Sequence, residues 1–354
     1  MFLVARIAEE SRMITELKSI GDIYTKMPSS DDARRFLEDL MWADGRVCPH
    51  CGGLRSTELK GASHRSGLYQ CNECRGQFTI TTKTPMHATK LDLRVWLAAI
   101  YTVLNSSKGV SSVVLARMIG TTQKCAWKLG HAIREMMRED YGSNALLSGI
   151  VEVDETSVGG APKFKKGKKN KRGKGTKKTP VMVAVARGGE ARAAVLPGIT
   201  GSDFEPLIRG WVARDATMMT DGSSCYNFIA SAFPVHHRVI HSKKQFAIPA
   251  TGAHVNTAEA FGAFIERARV GVYHRITGYH TQRYLDELTW RWNRREPVEE
   301  MRTDSKGRTS PHIRWKPLPV VQMMRFLLKS APGREMRRSE NYGLRWPAAA
   351  LLGG

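Results

Sequence analysis

The chain has 354 residues, enough for two or three domains and one substantial core. Its 55 Lys and Arg against 33 Asp and Glu give a formal net charge of +22, a balance that draws in polyanions and points to nucleic acid. No apolar run approaches the ~18 residues of a membrane span. No long basic amphipathic helix is present, and MFLVARIAEESRM is too soon charged for a secretory signal. The expectation is a cytoplasmic, nucleoid-associated protein with no membrane partner.

Residues 1–45 read as an N-terminal helical segment, with short helices over 13–44. Asp31 and Asp32 precede ARRFLEDLMW as helix-start residues, and Asp44-Gly45 suits a turn. Residues 46–82 carry the sharpest local signal. Cys48 and Cys51 form CPHC, nineteen residues intervene, and Cys71 and Cys74 form CNEC. Two C-x2-C knuckles put four thiolates around one structural zinc, and so short a segment needs that metal to hold together. Gly52, Gly53 and Gly76 follow the pairs, where a knuckle needs backbone freedom. His50 reads as exposed, and Cys125 and Cys225 as ordinary buried residues. Arg46, Arg55, Lys60, His64, Arg65 and Arg75 make the ribbon basic, in keeping with nucleic acid.

Residues 83–146 read as helical. LRVWLAAIYTVLNSS after Asp92 is apolar enough for a buried helix. SSVVLARMIGTTQKCAWKLGHAIREMM reads as two helices joined near Gly120, with Thr121 or Thr122 capping the second. That pattern is a helix-turn-helix or a plain helical hairpin. In the first case Gln123, Lys124 and Lys128 face DNA.

Residues 147–300 hold the chemistry. Ile150, Val151 and Val153 read as strand running into Asp154, with Glu155 directed to the other face by alternation. VMVAVAR (181–187) and ARAAVLPG (191–198) read as a hairpin over Gly188-Gly189, DFEPLIRGWV (203–212) as helix, and ATMMT (216–220) as a strand ending at Asp221. Three strands, a helix and a strand is the order of an RNase H-like mixed α/β sheet, in which the first and fourth strands are neighbours. Asp154 and Asp221 then converge and hold two Mg2+ or Mn2+ ions through hard oxygen ligands, unless both are plain turn residues, as the dipeptide Asp221-Gly222 allows. HVNTAEAF starts a helix, where Asn256 and Glu259 form a capping box; capping alone explains both residues, or one of them also supplies the third ligand. His254 contacts a phosphate or packs.

The insert 161–180 carries ten Lys or Arg and no acid. Lys165, Lys166, Lys168, Lys169, Lys171 and Arg172 are placed to clamp DNA phosphates, unless the insert is a solvated linker. RYLDELTWRWNRR (283–295) reads as an amphipathic helix with Leu285, Leu288 and Trp292 on its apolar face. Residues 301–354 form a basic C-terminal extension, irregular to about Pro319, with one helix in PVVQMMRFLLKS.

Taken together, FLEDLMWADGRVCPHCGG, YQCNECRGQFTITTKTPMHATKLDLRVWLAAIY, VEVDETSVGG, HVNTAEAF and YLDELTWRWNRR resemble the DDE-superfamily insertion-sequence transposases of the ISXO type with an N-terminal zinc ribbon. The resemblance runs from about Ile14 to Arg295. It implies an RNase H-like catalytic core that moves DNA flanked by terminal inverted repeats. It also implies Asp154 and Asp221 as the first two catalytic acids, and Asn256 at the third position. Where relatives carry a Lys this chain has Glu266, and the adjacent Arg267, turned about 100° away round the helix, is an expected DNA contact. Gly262 stands where relatives often have an aromatic. The expected function is a metal-dependent DNA transposase that binds terminal repeats and target DNA as a homodimer or larger assembly. The alternatives are a non-catalytic DNA-binding derivative and a hydrolysis-only nuclease.

Overall fold

The computed structural model describes residues 16–141, 146–160, 167, 176–240, 243 and 245–336. They fall into two compact units. One comprises residues up to Met137 together with the segment from Arg294, and the other is Arg138–Asn293. The predicted DNA contacts Lys165, Lys166, Lys168, Lys169, Lys171 and Arg172 lie outside the described residues.

The first unit opens with helices α1 (Ile20–Lys26) and α2 (Ser30–Met41). Ser29 caps α2 in a reciprocal pairing with Asp32, so the predicted helix start carries a full capping box. Strands β1 (Ser56–Glu58), β2 (Tyr69–Cys71) and β3 (Gln77–Phe78) form a small antiparallel sheet. Its core is only Cys48, Tyr69, Cys71 and Phe78, with Trp42 packed against them. The Arg46 guanidinium lies 3.6 Å from the Tyr69 ring centroid, so this cation is engaged in packing.

Helix α3 (Leu93–Asn105) is buried along nearly its whole length, as its composition demands. Helix α4 (Ser112–Ile119) ends at Gly120 in the left-handed conformation (φ 67°). Helix α5 (Gln123–Met137) then starts behind Thr122, whose hydroxyl accepts from the Cys125 amide. Gln123, Lys124, Trp127 and Lys128 are exposed on its first turns, while Ala126 and Leu129 are buried.

The second unit is a mixed α/β core built on one five-stranded sheet in the RNase H-like order. Its strands are β4 (Ile150–Val158), β5 (Thr179–Ala186), β6 (Ala191–Val195), β7 (Thr217–Asp221) and β8 (Val235–Val239), arranged β6-β5-β4-β7-β8. β6, β5 and β4 are antiparallel, and β4, β7 and β8 are parallel. The first and fourth strands are therefore neighbours, as the element order predicts. Alternation along β4 sends Val151 and Val153 into one core with Phe204, Leu207 and Ile208 of helix α6 (Gly201–Trp211). A one-turn helix α7 (Ile229–Ala232) joins that face. On the opposite face, Val181, Val183 and Val185 pack on Phe261 and Ile265 of helix α8 (Asn256–Ala268). Leu285 and Leu288 of helix α9 (Thr281–Asn293) complete that core.

Past Asn293 the chain rejoins the first unit. The stretch expected to be irregular is a regular hairpin of β9 (Arg295–Thr303) and β10 (Thr309–Pro317), paired over nine residues. Both strands are largely exposed, so no buried face imposes the apolar alternation that marks a strand in sequence. Helix α10 (Val320–Lys329) then buries Met323, Met324, Leu327 and Leu328 against α2 and α3. Among the described residues, no helix is long and apolar enough to cross a membrane.

Candidate active site and metal centres

The zinc ribbon is set by its two knuckles. Cys48 and Cys71 are buried, and Cys51 and Cys74 are exposed. The Cys48–Cys74 and Cys51–Cys71 sulfurs are each 3.7 Å apart, and all four lie within 4.8 Å of one another. Tetrahedral thiolates on ~2.3 Å zinc bonds sit about 3.8 Å apart, so the donor set and spacing fit zinc. Backbone amides of Cys74 and Glu73 point at the Cys71 sulfur and bring its thiol down to about 7. The left-handed residue of the first knuckle is Gly52 (φ 80°), but in the second it is Arg75 (φ 61°). Gly76 serves a different need, since a Cβ there would sit 2.9 Å from the His50 ring. His50 is exposed, as expected, with Nε2 3.1 Å from the Gln77 carbonyl.

In the second unit, Asp154, Glu155 and Asp221 each offer an oxygen, and the three lie within 4.8 Å of one another. Asp221 ends β7, where its Oδ1 accepts from the Ser223 amide at 2.9 Å. Asp154 departs from the expected strand end. β4 continues to Val158 because β5 keeps pairing with it, whereas the parallel ladder to β7 stops at Val153–Thr220. Asp154 is thus beside the point where β7 parts from β4, while β7 stays paired with β8 through Asp221–Val239, and a cleft can open between β4 and β7 there.

Glu155 corrects the reading from alternation. Its Cβ does belong to the other face, beside Met182, but its carboxylate reaches the same cluster. The buried Tyr226 hydroxyl donates to Glu155 Oε2 at 2.7 Å and holds it there. Burial, and next the Glu155 charge, push the Asp154 carboxyl up to about 7, with Asp221 and Glu259 adding to the repulsion. A divalent cation held there would offset this repulsion, and the all-oxygen donor set suits magnesium or manganese.

That shift fixes a pH dependence. Between pH about 4 and 7 the metal-free folded chain retains a proton on Asp154 that the unfolded chain releases, so this carboxyl costs stability as pH rises through that window. Metal-free wild-type protein is expected to lose melting temperature relative to Asp154→Asn between pH 5 and 8, and Mn2+ at pH 8 to reverse the loss. Parallel melting curves for the two proteins would contradict it.

The third segment is arranged differently from the sequence expectation. Asn256 is the first residue of α8 and is exposed; Val255 occupies the cap position, and no side chain of α8 caps it. The expected Asn256–Glu259 capping box does not form because another carboxylate takes the free amides. Glu152, fully buried on β4, accepts from the Thr257 amide at 2.6 Å and the Ala258 amide at 3.0 Å. Glu259 is left exposed, and its charge is felt at Asp154. His254 sits with Nδ1 3.2 Å from Glu152, half-buried against it. Arg267 is exposed, while Glu266 is bound to Arg269 Nε at 2.8 Å. That guanidinium, with Lys178 further off, holds the Glu266 carboxyl below its usual range. A Cβ on Gly262 would meet Thr156 at 3.9 Å, an ordinary contact.

With this geometry in hand, two family descriptions match the chain. Residues 146–293 match the ISXO2-like transposase domain, and residues 28–77 match the transposase zinc-ribbon domain. Together they cover more than half of the chain. The chain belongs to the ISXO2-like transposase family. A Halobacterium salinarum protein described as an uncharacterized protein in transposable element ISH50 is 25% identical over 248 residues. The match covers 66% of this chain and 81% of the relative. No solved structure matches. Membership makes this transposase a DDE-superfamily protein of insertion-sequence type, with a ribbon ahead of its core and an implied role in binding DNA. The acidic cluster falls inside the matched core, and all four cysteines fall inside the matched ribbon.

Proposed function

We propose that this protein is an active DNA transposase that binds terminal inverted repeats, cleaves at the element ends and joins the freed ends to target DNA. The observation that carries the reading is the convergence of Asp154, Glu155 and Asp221 at one end of the central sheet. Divalent cations bound there supply positive charge to the attacking and departing oxygens of an in-line displacement. Asp154 and Asp221 hold that charge in place from neighbouring strands. Glu155 steadies the arrangement through Tyr226, and Asn256 or Glu259 provides the third ligand from α8. Water attacks the phosphodiester at the element end, the P–O3′ bond breaks and a 3′-hydroxyl is freed; that hydroxyl then attacks a target phosphodiester and displaces its 3′ oxygen. Each step depends on holding two reactants in line as much as on acid–base strength.

The zinc ribbon and the α4–α5 pair recognise the DNA ends, with α5 as the recognition helix. Thr122 caps α5 so that Gln123, Lys124 and Lys128 project from its first turns. The five divisions 1–45, 46–82, 83–146, 147–300 and 301–354 describe this division of labour. His254 and Arg267 contact DNA phosphates, as does the basic insert 161–180. Two element ends must meet, so the working form is a homodimer or larger.

The deciding experiment supplies purified protein with Mg2+, DNA carrying the inverted repeats that flank its gene, and a target plasmid. Strand-joined product is expected. Cleaved ends without joined product would support the nuclease instead. Repeat-specific binding with no cleavage would support a DNA-binding derivative.

A further inference from the structure

We propose that Glu152 is a positioning residue that clamps the start of α8 to β4, and so sets the distance between the third ligand and the Asp154–Asp221 pair. Glu152 is completely buried and makes five polar contacts. Two are to the Thr257 and Ala258 amides, which no residue of α8 satisfies. A third is to the Thr257 hydroxyl at 3.0 Å. Arg187 Nε donates to the same carboxylate at 2.6 Å, and His254 Nδ1 lies 3.2 Å away. Arg187 also donates to the Gly252 and His254 carbonyls at 3.0 and 3.1 Å, fixing the chain just before α8.

A buried carboxylate is costly unless paired. Here the cost is offset by the guanidinium and by the positive end of the helix. The arrangement is therefore specific to one position of α8. Glu152 and Asp154 are two residues apart on one strand and project to the same sheet face. The same helix later passes Thr156 at Gly262. α8 thus runs along β4 with its clamp at Glu152, and Asp154 lies between clamp and crossing, level with the turn that bears Glu259. A shift of α8 at the clamp transmits directly to Asn256 and Glu259 without moving Asp154 or Asp221.

This inference rests on the metal-site reading, and its test separates the two. Mn2+ binding to the zinc-loaded, full-length protein is measured by titration calorimetry, beside hydrogen exchange at the Thr257 and Ala258 amides. Glu152→Gln is expected to weaken Mn2+ binding about tenfold or more, and to speed exchange at both amides. A carboxylate serving only the fold would lower the melting temperature and leave Mn2+ affinity at the wild-type value; that result overturns the clamp. Asp154→Asn is run alongside. Binding lost there but unchanged in Glu152→Gln overturns the clamp alone, and binding unchanged in both overturns the metal site and the clamp with it. Should Glu152→Gln not fold, Thr257→Val removes one hydrogen bond at nearly constant volume. Weaker Mn2+ binding together with faster Ala258 exchange then supports the clamp, and a wild-type value for either overturns it.

Discussion

Asp154→Asn and Asp221→Asn should each lower strand cleavage and joining by about a thousandfold or more, with binding to the terminal repeat intact. A site that holds divalent charge on a reacting phosphate contributes several kcal/mol to the transition state, and each ~1.4 kcal/mol is a factor of ten. Both side chains offer oxygen to one cluster, so neither can compensate for the other. Asn keeps the shape and one oxygen but loses the charge that balances the cation. DNA affinity is retained because removing a carboxylate beside phosphate lessens repulsion. Gel-based cleavage and joining assays with a parallel binding measurement check this. Cleavage within tenfold of wild type in either variant would remove that residue from the catalytic set. Glu259→Gln and Asn256→Ala, in the same assay, decide which supplies the third ligand.

Cys71→Ser is expected to unfold the ribbon and remove repeat-specific binding. Two of the four buried core residues of that region, Cys48 and Cys71, belong to the four-cysteine cluster that fits zinc. Its strands are two or three residues long, far too short to persist alone. A structural zinc contributes about 10–16 kcal/mol to a domain of this kind, more than its apolar core supplies. Loss of one zinc per chain, measured by atomic absorption, should accompany loss of the packing of Trp42 on Tyr69 and Phe78, seen in near-ultraviolet dichroism. A Cys71→Ser protein with unchanged dichroism and unchanged repeat binding would show that metal does not organise this region.

These two sites differ in how far the sequence discloses them. The ribbon is legible because its chemistry is local: two knuckles of fixed spacing define the ligand set. Asp154 and Asp221 are legible because apolar strands run into them and the element order makes their strands neighbours. Glu155 is missed because alternation gives the direction of a Cβ and not the reach of a carboxylate, and Tyr226, which captures it, is 71 residues away. The capping box at Asn256–Glu259 misleads for a related reason. A local pattern competes with a long-range partner, and Glu152, 105 residues from Thr257, wins the amides. The β9–β10 hairpin is illegible because, without a buried face, its sequence need not alternate.

Acids distant in the chain meet in one cluster, and the proposed function requires that cluster to grip hard cations. Anomalous diffraction from crystals soaked in Mn2+ tests it most directly. A manganese peak is expected within about 2.5 Å of carboxylate oxygens from both Asp154 and Asp221. Manganese bound only elsewhere, with these two carboxylates sharing no ion, would contradict it.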